Sequence, residues 1–274
     1  MNKSEKIKKT MNYAIKKYNM ICDGDKIAIG VSGGKDSLIL LATMIEWKKH
    51  CNLKFELVAI SVDMFNGTYD HTSITNFCND LGVKLEIVPS NIYEVVFQIR
   101  KEKNPCSLCA KLRRGILNST AKKLGCNKVA LAHHYNDFFE TFLMSMLFEG
   151  RMHTFAPVQY LSKSNLVVIH PFLLVEEKDI ISIQNNFPVF KNPCPADHYT
   201  KREEMKNLTK YLENKFNCKN SIYSAFNKFI DNIITCNYKK ILATITNFAS
   251  EGKDFSRILT DIIFELRDRI VDIY

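Results

Sequence analysis

The chain has 274 residues, 46% of them hydrophobic, with 38 Lys and Arg against 29 Asp and Glu and a formal charge of +9. That content supplies one large core or two modest ones, and the basic excess suits a polyanionic partner, although a lysine-rich coding bias gives the same total. No apolar run reaches a membrane span and the lysine-rich N-terminus lacks a signal-peptide pattern. We therefore expect a cytoplasmic protein without a membrane role, its nine cysteines reduced thiols or metal ligands rather than a disulfide framework.

Residues 1–22 read as a basic amphipathic helix, with Lys3, Lys6, Lys8, Lys9, Lys16 and Lys17 around an apolar face of Ile7, Met11, Ala14, Ile15 and Tyr18. Either a solvated helix or an RNA-facing arm would carry this pattern. Asp23-Gly24-Asp25 is a turn, and the short apolar run that starts at Lys26 reads as a buried strand ending in Ser32-Gly33-Gly34. Leu38, Leu41, Ala42 and Ile45 then recur at helical spacing. A glycine-bearing strand-to-helix crossing lets the backbone approach a ligand, and the free amides at the helix start, with Lys35 and two hydroxyls, form an anion site.

A Walker-type loop needs four residues between its glycines and Gly-Lys-Ser/Thr at its end. Three residues separate Gly30 from Gly34 here, and Asp36 follows Lys35, so that motif fails. Ser32-Gly33-Gly34-Lys35-Asp36-Ser37 instead resembles, at every position, the pyrophosphate loop of the N-type ATP pyrophosphatases. The resemblance implies that ATP is cleaved between its α- and β-phosphates to activate a substrate oxygen as an adenylate.

Further strands are expected at about Phe55–Val62, ending in Asp63, then Lys84–Val88, Lys128–Ala132 before His133-His134, and Leu166–Ile169. Helical patterns between most of them predict an α/β fold, a parallel five-stranded sheet with flanking helices and right-handed crossovers. The family resemblance implies the adenine nucleotide alpha hydrolase-like PP-loop architecture. Ligands in such sheets lie beyond the carboxyl ends of the strands, so Ser32–Ser37, Ser61–Asp63 and Ala132–Asp137 should share one rim. From Glu203 onward helical spacing dominates, with stripes at Ile222, Phe226, Phe229, Ile230 and Ile233 and at Ile258, Leu259, Ile262, Ile263, Leu266 and Ile270. The expected divisions are an N-terminal helix over 1–25, a nucleotide domain over 26–192, and a Cys194 loop with a C-terminal helical region over 193–274.

Pro105-Cys106-Ser107-Leu108-Cys109 opens another helical run. A Cys-x-x-Cys pair at a helix start places both sulfurs on one side near amide donors, which is expected to lower their pKa. Such a pair is redox-active, half of a zinc site, or part of an iron–sulfur site. A further candidate ligand is Cys194, held between Pro193 and Pro195. Cys22, Cys51, Cys78, Cys126, Cys218 and Cys236 are isolated and read as small core or surface residues.

Four segments together resemble the tRNA 2-thiolation family (TtcA/TtuA), and most closely its 2-thiocytidine branch. They are Ser32–Ser37, Cys106–Arg114, Ala132–Asp137 with Glu140-Thr141, and Pro193-Cys194-Pro195; the similarity runs from about residue 5 to 195. The resemblance implies tRNA as partner and a [4Fe-4S] cluster held by Cys106, Cys109 and Cys194, with one iron left for incoming sulfur. A persulfide carrier without iron would use the same three cysteines. The resemblance also implies ATP and Mg²⁺, a sulfur donor that is a cysteine desulfurase or inorganic sulfide, and a homodimer. By the same comparison Lys35 and the Ser32–Ser37 amides hold pyrophosphate, and Asp36 holds Mg²⁺ or orders the loop. Val62 and Ala132 reach adenosine through their backbone, His133 and His134 touch phosphate, and Asp137 has a catalytic or metal-positioning role. Arg113 and Arg114 suit RNA phosphates or a solvated helix face.

The match departs from the family twice. Asn136 stands where the family's His-x-x-Asp-Asp pattern has its first acid. After Cys194 the chain reads Pro-Ala-Asp-His rather than through a Gly-Ser-Gln segment, so the flanks of the acceptor pocket differ. Rival readings are the same chemistry on another tRNA base, free base or small metabolite, and a nucleotide- or redox-sensing protein without turnover.

Overall fold

The short apolar runs form six strands in a computed structural model, which describes residues 2–101, 105–151, 153–189, 194 and 201–216. They are β1 (Lys26–Gly30), β2 (Glu56–Asp63), β3 (Leu85–Pro89), β4 (Lys128–Ala130), β5 (Val158–Leu161) and β6 (Leu166–Ile169). Their order in the sheet is β3-β2-β1-β4-β6-β5. Strands β3, β2, β1, β4 and β6 are parallel, with Ile29 beside Ala59 on one flank and Ala130 on the other. The five parallel strands are those expected from sequence. The sixth, β5, is an antiparallel edge strand that pairs Val158 with Ile169 and Leu161 with Leu166. Its central Gln159 and Tyr160 are exposed and its ends half-buried, and a turn containing Asn165 at φ 51 joins it to β6 as an edge hairpin.

Both faces of the sheet are covered, which is why Ile27, Ala28 and Ile29 form an unbroken, fully buried apolar run rather than an alternating one. One face packs against α2 (Lys35–His50), whose Leu38, Ile39, Leu40, Leu41 and Met44 are all fully buried. Being buried nearly all round, α2 is sandwiched: α1 (Lys3–Lys17) covers its outer side with Ile7, Met11, Ala14 and Ile15. The Trp47 indole N–H donates to Asn12 Oδ1 at 3.0 Å across that contact. The basic N-terminal helix is thus docked by its apolar face, and its lysines lie outward. The opposite sheet face receives Leu117 and Ala121 of α4 (Pro105–Lys123) against Ala28, Val58, Ile60, Val129 and Val168.

Two compact units result, one of residues 1–138 with 155–201, the other of 139–154 with 202–274. The first holds the sheet, α1, α2, α3 (Thr72–Asp80), α4 and the short α6 (Glu177–Ile181). Helix α5 (Tyr135–Glu149) contributes its residues from Phe139 onward to the second unit, which also holds all but the first residue of α7 (Lys201–Phe216). There the Arg202 guanidinium donates to Thr141 Oγ1 at 3.1 Å and lies 3.5 Å from Glu140 Oε2, beside the buried Met205. The helical stripes expected beyond residue 216 lie outside the described residues, as do Pro193, Pro195, Cys218 and Cys236. Among the described residues no helix is long and apolar enough to cross a membrane.

Candidate functional site

The chain leaves β1 toward β2 on one side and reaches β4 on the other, so the crevice beyond β1 and β4 is where strand order reverses. The loop after β1 fills that crevice. Gly33 has φ +81, a left-handed conformation that a side chain would disfavour. Ser37 Oγ accepts from the Ser32 amide at 3.1 Å, donates to the Gly34 carbonyl at 3.0 Å and lies 3.2 Å from Ser32 Oγ. These bonds hold the loop in a ring from inside. Gly34 caps α2 without a side chain, which leaves the first amides of that helix facing outward, suited to an anion.

Lys35 Nζ sits 3.2 Å from Asp36 Oδ2 and 3.2 Å from Glu177 Oε1. Burial alone would push the Lys35 ammonium down, but these two carboxylates outweigh it and hold its pKa above the ordinary lysine value. Glu177, 8% exposed, begins α6, and its amide donates to Asn136 Oδ1 at 2.9 Å. The Tyr135 amide donates to the Val175 carbonyl at 2.9 Å, and Lys6 bridges to Asp179 at 2.7 Å. The starts of α5 and α6 are therefore clamped together, with Glu177 aimed at the loop lysine. The sequence reading did not single out Glu177. Its only local signal is a charged cluster, Glu176-Glu177-Lys178-Asp179, following an apolar run, and such clusters are normally solvated.

Asp137 Oδ2 accepts from the His134 amide at 3.0 Å, and the Asp137 amide donates to His134 Nδ1 at 3.3 Å, a reciprocal cap at the start of α5. The buried His134 ring places Nε2 3.8 Å from Asp36 Oδ1. Asp36 Oδ1 is itself buried and has no hydrogen-bond partner among the described residues, which fits a carboxylate placed to take a cation. Of the two adjacent histidines, His134 meets the loop. His133 packs its ring 5.0 Å from Phe155 and 5.2 Å from His170. Burial, with the His133 ring beside it, pushes the His170 imidazole down to about 3. Ala132 is half-buried at the end of β4, on the same rim.

Cys109, buried, packs with Ile92 and Val96, and half-buried Val62 and Met64 adjoin them; its Sγ lies 3.6 Å from Met64 Sδ. Val62 and Met64 flank Asp63, so the cysteine helix leans on the end of β2. Cys106 is exposed and Cys194 half-buried. The helix start does not lower the thiol pKa values as expected. Burial raises both Cys106 and Cys109, the charge of Cys194 raises each further, and Arg113 only partly offsets this. Cys106 and Cys109 stand together at the start of α4, and Cys194 belongs to the same compact unit. Among the described residues no three such side chains are already gathered as a finished metal-ligand group. Cys106, Cys109 and Cys194, none of them in a disulfide, are soft donors that a cationic iron–sulfur centre would convert to thiolates, so the residues fit such a group.

Residues 3–206 match the model of the PP-loop domain family. The chain is 37% identical over 216 residues to a tRNA-cytidine(32) 2-sulfurtransferase of Geobacter sulfurreducens, covering 76% of this chain and 83% of that protein. It is 36% identical over 220 residues to the Vibrio vulnificus protein of the same name, covering 78% and 71%. Among solved structures it resembles the U34-tRNA thiolase NcsA from Methanococcus maripaludis with its [4Fe-4S] cluster. That likeness has a TM-score of 0.65 and 26% identity over 82% of this chain and 80% of that one. The glycine-bearing loop at the switch point, the Cys-x-x-Cys pair at the start of α4 and these matches converge: the chain belongs to the PP-loop family, in its tRNA 2-thiolation branch, with the tRNA-cytidine 2-sulfurtransferases.

Proposed function

We propose that this chain is an ATP-dependent, iron–sulfur-dependent tRNA sulfurtransferase that converts the 2-oxygen of an anticodon-loop cytidine, position 32, to sulfur. The amides of Ser32–Ser37 and the Lys35 ammonium hold the β- and γ-phosphates, and the backbone at Val62 and Ala132 holds adenosine. Asp36, through its unpartnered oxygen, would hold Mg²⁺, which would supply positive charge to offset that of the phosphates. The base oxygen attacks the α-phosphorus, the bond to the β-phosphate oxygen breaks, and pyrophosphate leaves with its charge stabilised by Lys35 and the loop amides. Sulfide-level sulfur then adds at C2, the C–O bond breaks, and AMP departs with the former base oxygen while the sulfur's proton goes to water. Asp137 fixes the His134 ring beside Asp36, so the acid positions the loop carboxylate. Cys106, Cys109 and Cys194 would hold a [4Fe-4S] cluster, which supplies a soft site for the sulfur that is transferred. A cysteine desulfurase or inorganic sulfide as donor, a homodimer and a cytoplasmic location complete the reading.

The observation that supports it is the pairing of an anion cradle at the switch point with the Cys106 and Cys109 pair of α4, packed near Val62 and Met64 at the end of β2, in the compact unit that also holds Cys194. The test is anaerobic reconstitution with iron and sulfide, then incubation with ATP, sulfide and bulk tRNA and mass spectrometry of the digested nucleosides. 2-Thiocytidine is expected, and Cys106→Ala, Cys109→Ala or Cys194→Ala abolishes both the brown chromophore and the product. Product that persists without iron would favour the persulfide route, and sulfur found only in a free base or small metabolite would overturn the tRNA assignment.

A further inference from the structure

Lys35 is the loop's cation, yet here it is already neutralised twice. Asp36, next to it in sequence, is one partner. The other, Glu177, comes from 142 residues away and meets Nζ at 3.2 Å. Its side chain is 11% exposed, its amide is fixed by Asn136 Oδ1 at 2.9 Å, and its helix is tied to α1 through Lys6 and Asp179. A buried carboxylate held at three points and aimed at the phosphate-binding lysine is an internal anion at the place a phosphate must take.

From this geometry we infer that Glu177 is a positioning residue that trades places with phosphate at Lys35. The inference rests on the ATP-cleaving reading of the loop but not on the identity of the acceptor. When the triphosphate arrives, the ammonium exchanges the Glu177 carboxylate for β- and γ-phosphate oxygens. When pyrophosphate has formed, the carboxylate competes for the same ammonium and helps expel the product. No bond beyond hydrogen bonds is made or broken in this exchange. Because the competition opposes every ligand with β-phosphate oxygens, it costs some ATP affinity and lowers product inhibition.

Glu177→Gln keeps the shape and removes the charge. Charge-assisted contacts of partly buried groups differ from neutral ones by enough to predict pyrophosphate and ATP binding about threefold to tenfold tighter in the variant. AMP binding should be unchanged. The measurement is isothermal titration of the full-length protein with inorganic pyrophosphate, with a non-hydrolysable ATP analogue and with AMP, in the absence of tRNA. In turnover, inhibition by added pyrophosphate should strengthen by the same factor, and Glu177→Asp should restore part of the wild-type behaviour. A folded Glu177→Gln protein that binds pyrophosphate as wild type does, or more weakly, overturns the inference, as does an equal shift for AMP. Where Glu177→Gln does not fold, Glu177→Asp is titrated alone, and unchanged pyrophosphate affinity there counts against it. Failure to thiolate tRNA would leave these titrations intact, so the two readings fail separately.

Discussion

Asp25, just before β1, offers a perturbation whose size can be worked out from the structure. Its Oδ2 accepts from the Cys22 amide at 2.7 Å and lies 2.7 Å from Lys128 Nζ, and its Oδ1 accepts from Asn127 Nδ2 at 2.8 Å. Lys128 also donates to the Met20 carbonyl at 2.9 Å, and the two charged side chains are 5% and 11% exposed. This clamp joins the start of β1 to the start of β4, the two strands whose far ends frame the nucleotide crevice. Asp25→Ala strips three bonds and strands a buried ammonium on one carbonyl, at a cost of about 3–5 kcal/mol. Lys128→Met alone strands the carboxylate, which keeps its two amide donors, and should cost about 2–3 kcal/mol. With both charges gone, no ion is left unpaired, so the double variant should be less destabilised than the sum of the singles by at least about 2 kcal/mol. Urea denaturation of the four proteins at pH 7 measures the cycle. Burial raises the Asp25 carboxyl, but the Cys22 amide, Lys128 and Asn127 outweigh it and hold its pKa below the ordinary range. Its contribution is therefore complete above the unfolded value of about 3.9 and fades as acid is added. Additivity within about 0.5 kcal/mol would mean the pair is not coupled, and the account of the clamp would fail.

Three further outcomes follow from single sites. His170 titrates at about 3 in the fold and near about 6.5 unfolded, so the unfolded chain takes up a proton first and stability falls as pH drops through that window. The destabilisation of His170→Phe measured by urea at pH 7 should therefore shrink by about 2–3 kcal/mol at pH 4.5, and a constant difference would refute the assignment. Ser37→Ala removes the hydroxyl that braces Ser32 and Gly34, so ATP affinity by calorimetry should fall about fivefold to tenfold with little change in the urea midpoint. Asn136→Leu deletes the acceptor for the Glu177 amide and should strengthen pyrophosphate binding in the same direction as Glu177→Gln but less, whereas Asn136→Asp keeps the acceptor and adds an anion beside the crevice, so it should weaken that binding.

The central parallel strands were legible because each is a short apolar run that both sheet faces bury, whereas β3 at the edge is only half-buried, and β1 announces the loop that follows it. The edge strand β5 was not, since a strand of only four residues with both central ones exposed reads like any polar connection. Within the site, the loop residues Ser32–Ser37 carry their geometry locally: Gly33 needs its positive φ, and Ser37 reaches back to Ser32 within a single turn. Glu177 could not be read this way, because its role depends on a carboxylate and an ammonium meeting across 142 positions. The thiols illustrate the opposite error. A helix start favours thiolate locally, yet burial and two neighbouring sulfurs reverse the balance, and nothing in the Cys-x-x-Cys spacing gives their distance from Cys194.

Asn136 leaves the start of α5 with one carboxylate, Asp137, where the family pattern has two, and its hydrogen bond shows what that departure costs. A side chain at this position accepts a hydrogen bond from the Glu177 amide, a task that an amide oxygen performs as well as a carboxylate does. The negative charge facing the loop comes instead from Asp36 and Glu177, one on each side of Lys35. A second carboxylate at 136 would add an anion beside Glu177, next to a crevice that must receive a triphosphate, and like charges at such range oppose ligand binding. An uncharged residue there keeps the clamp while sparing that repulsion. The substitution is therefore compatible with turnover, and it turns attention from the α5 acids to the carboxylate on α6 as the group that sets how firmly Lys35 holds its phosphate.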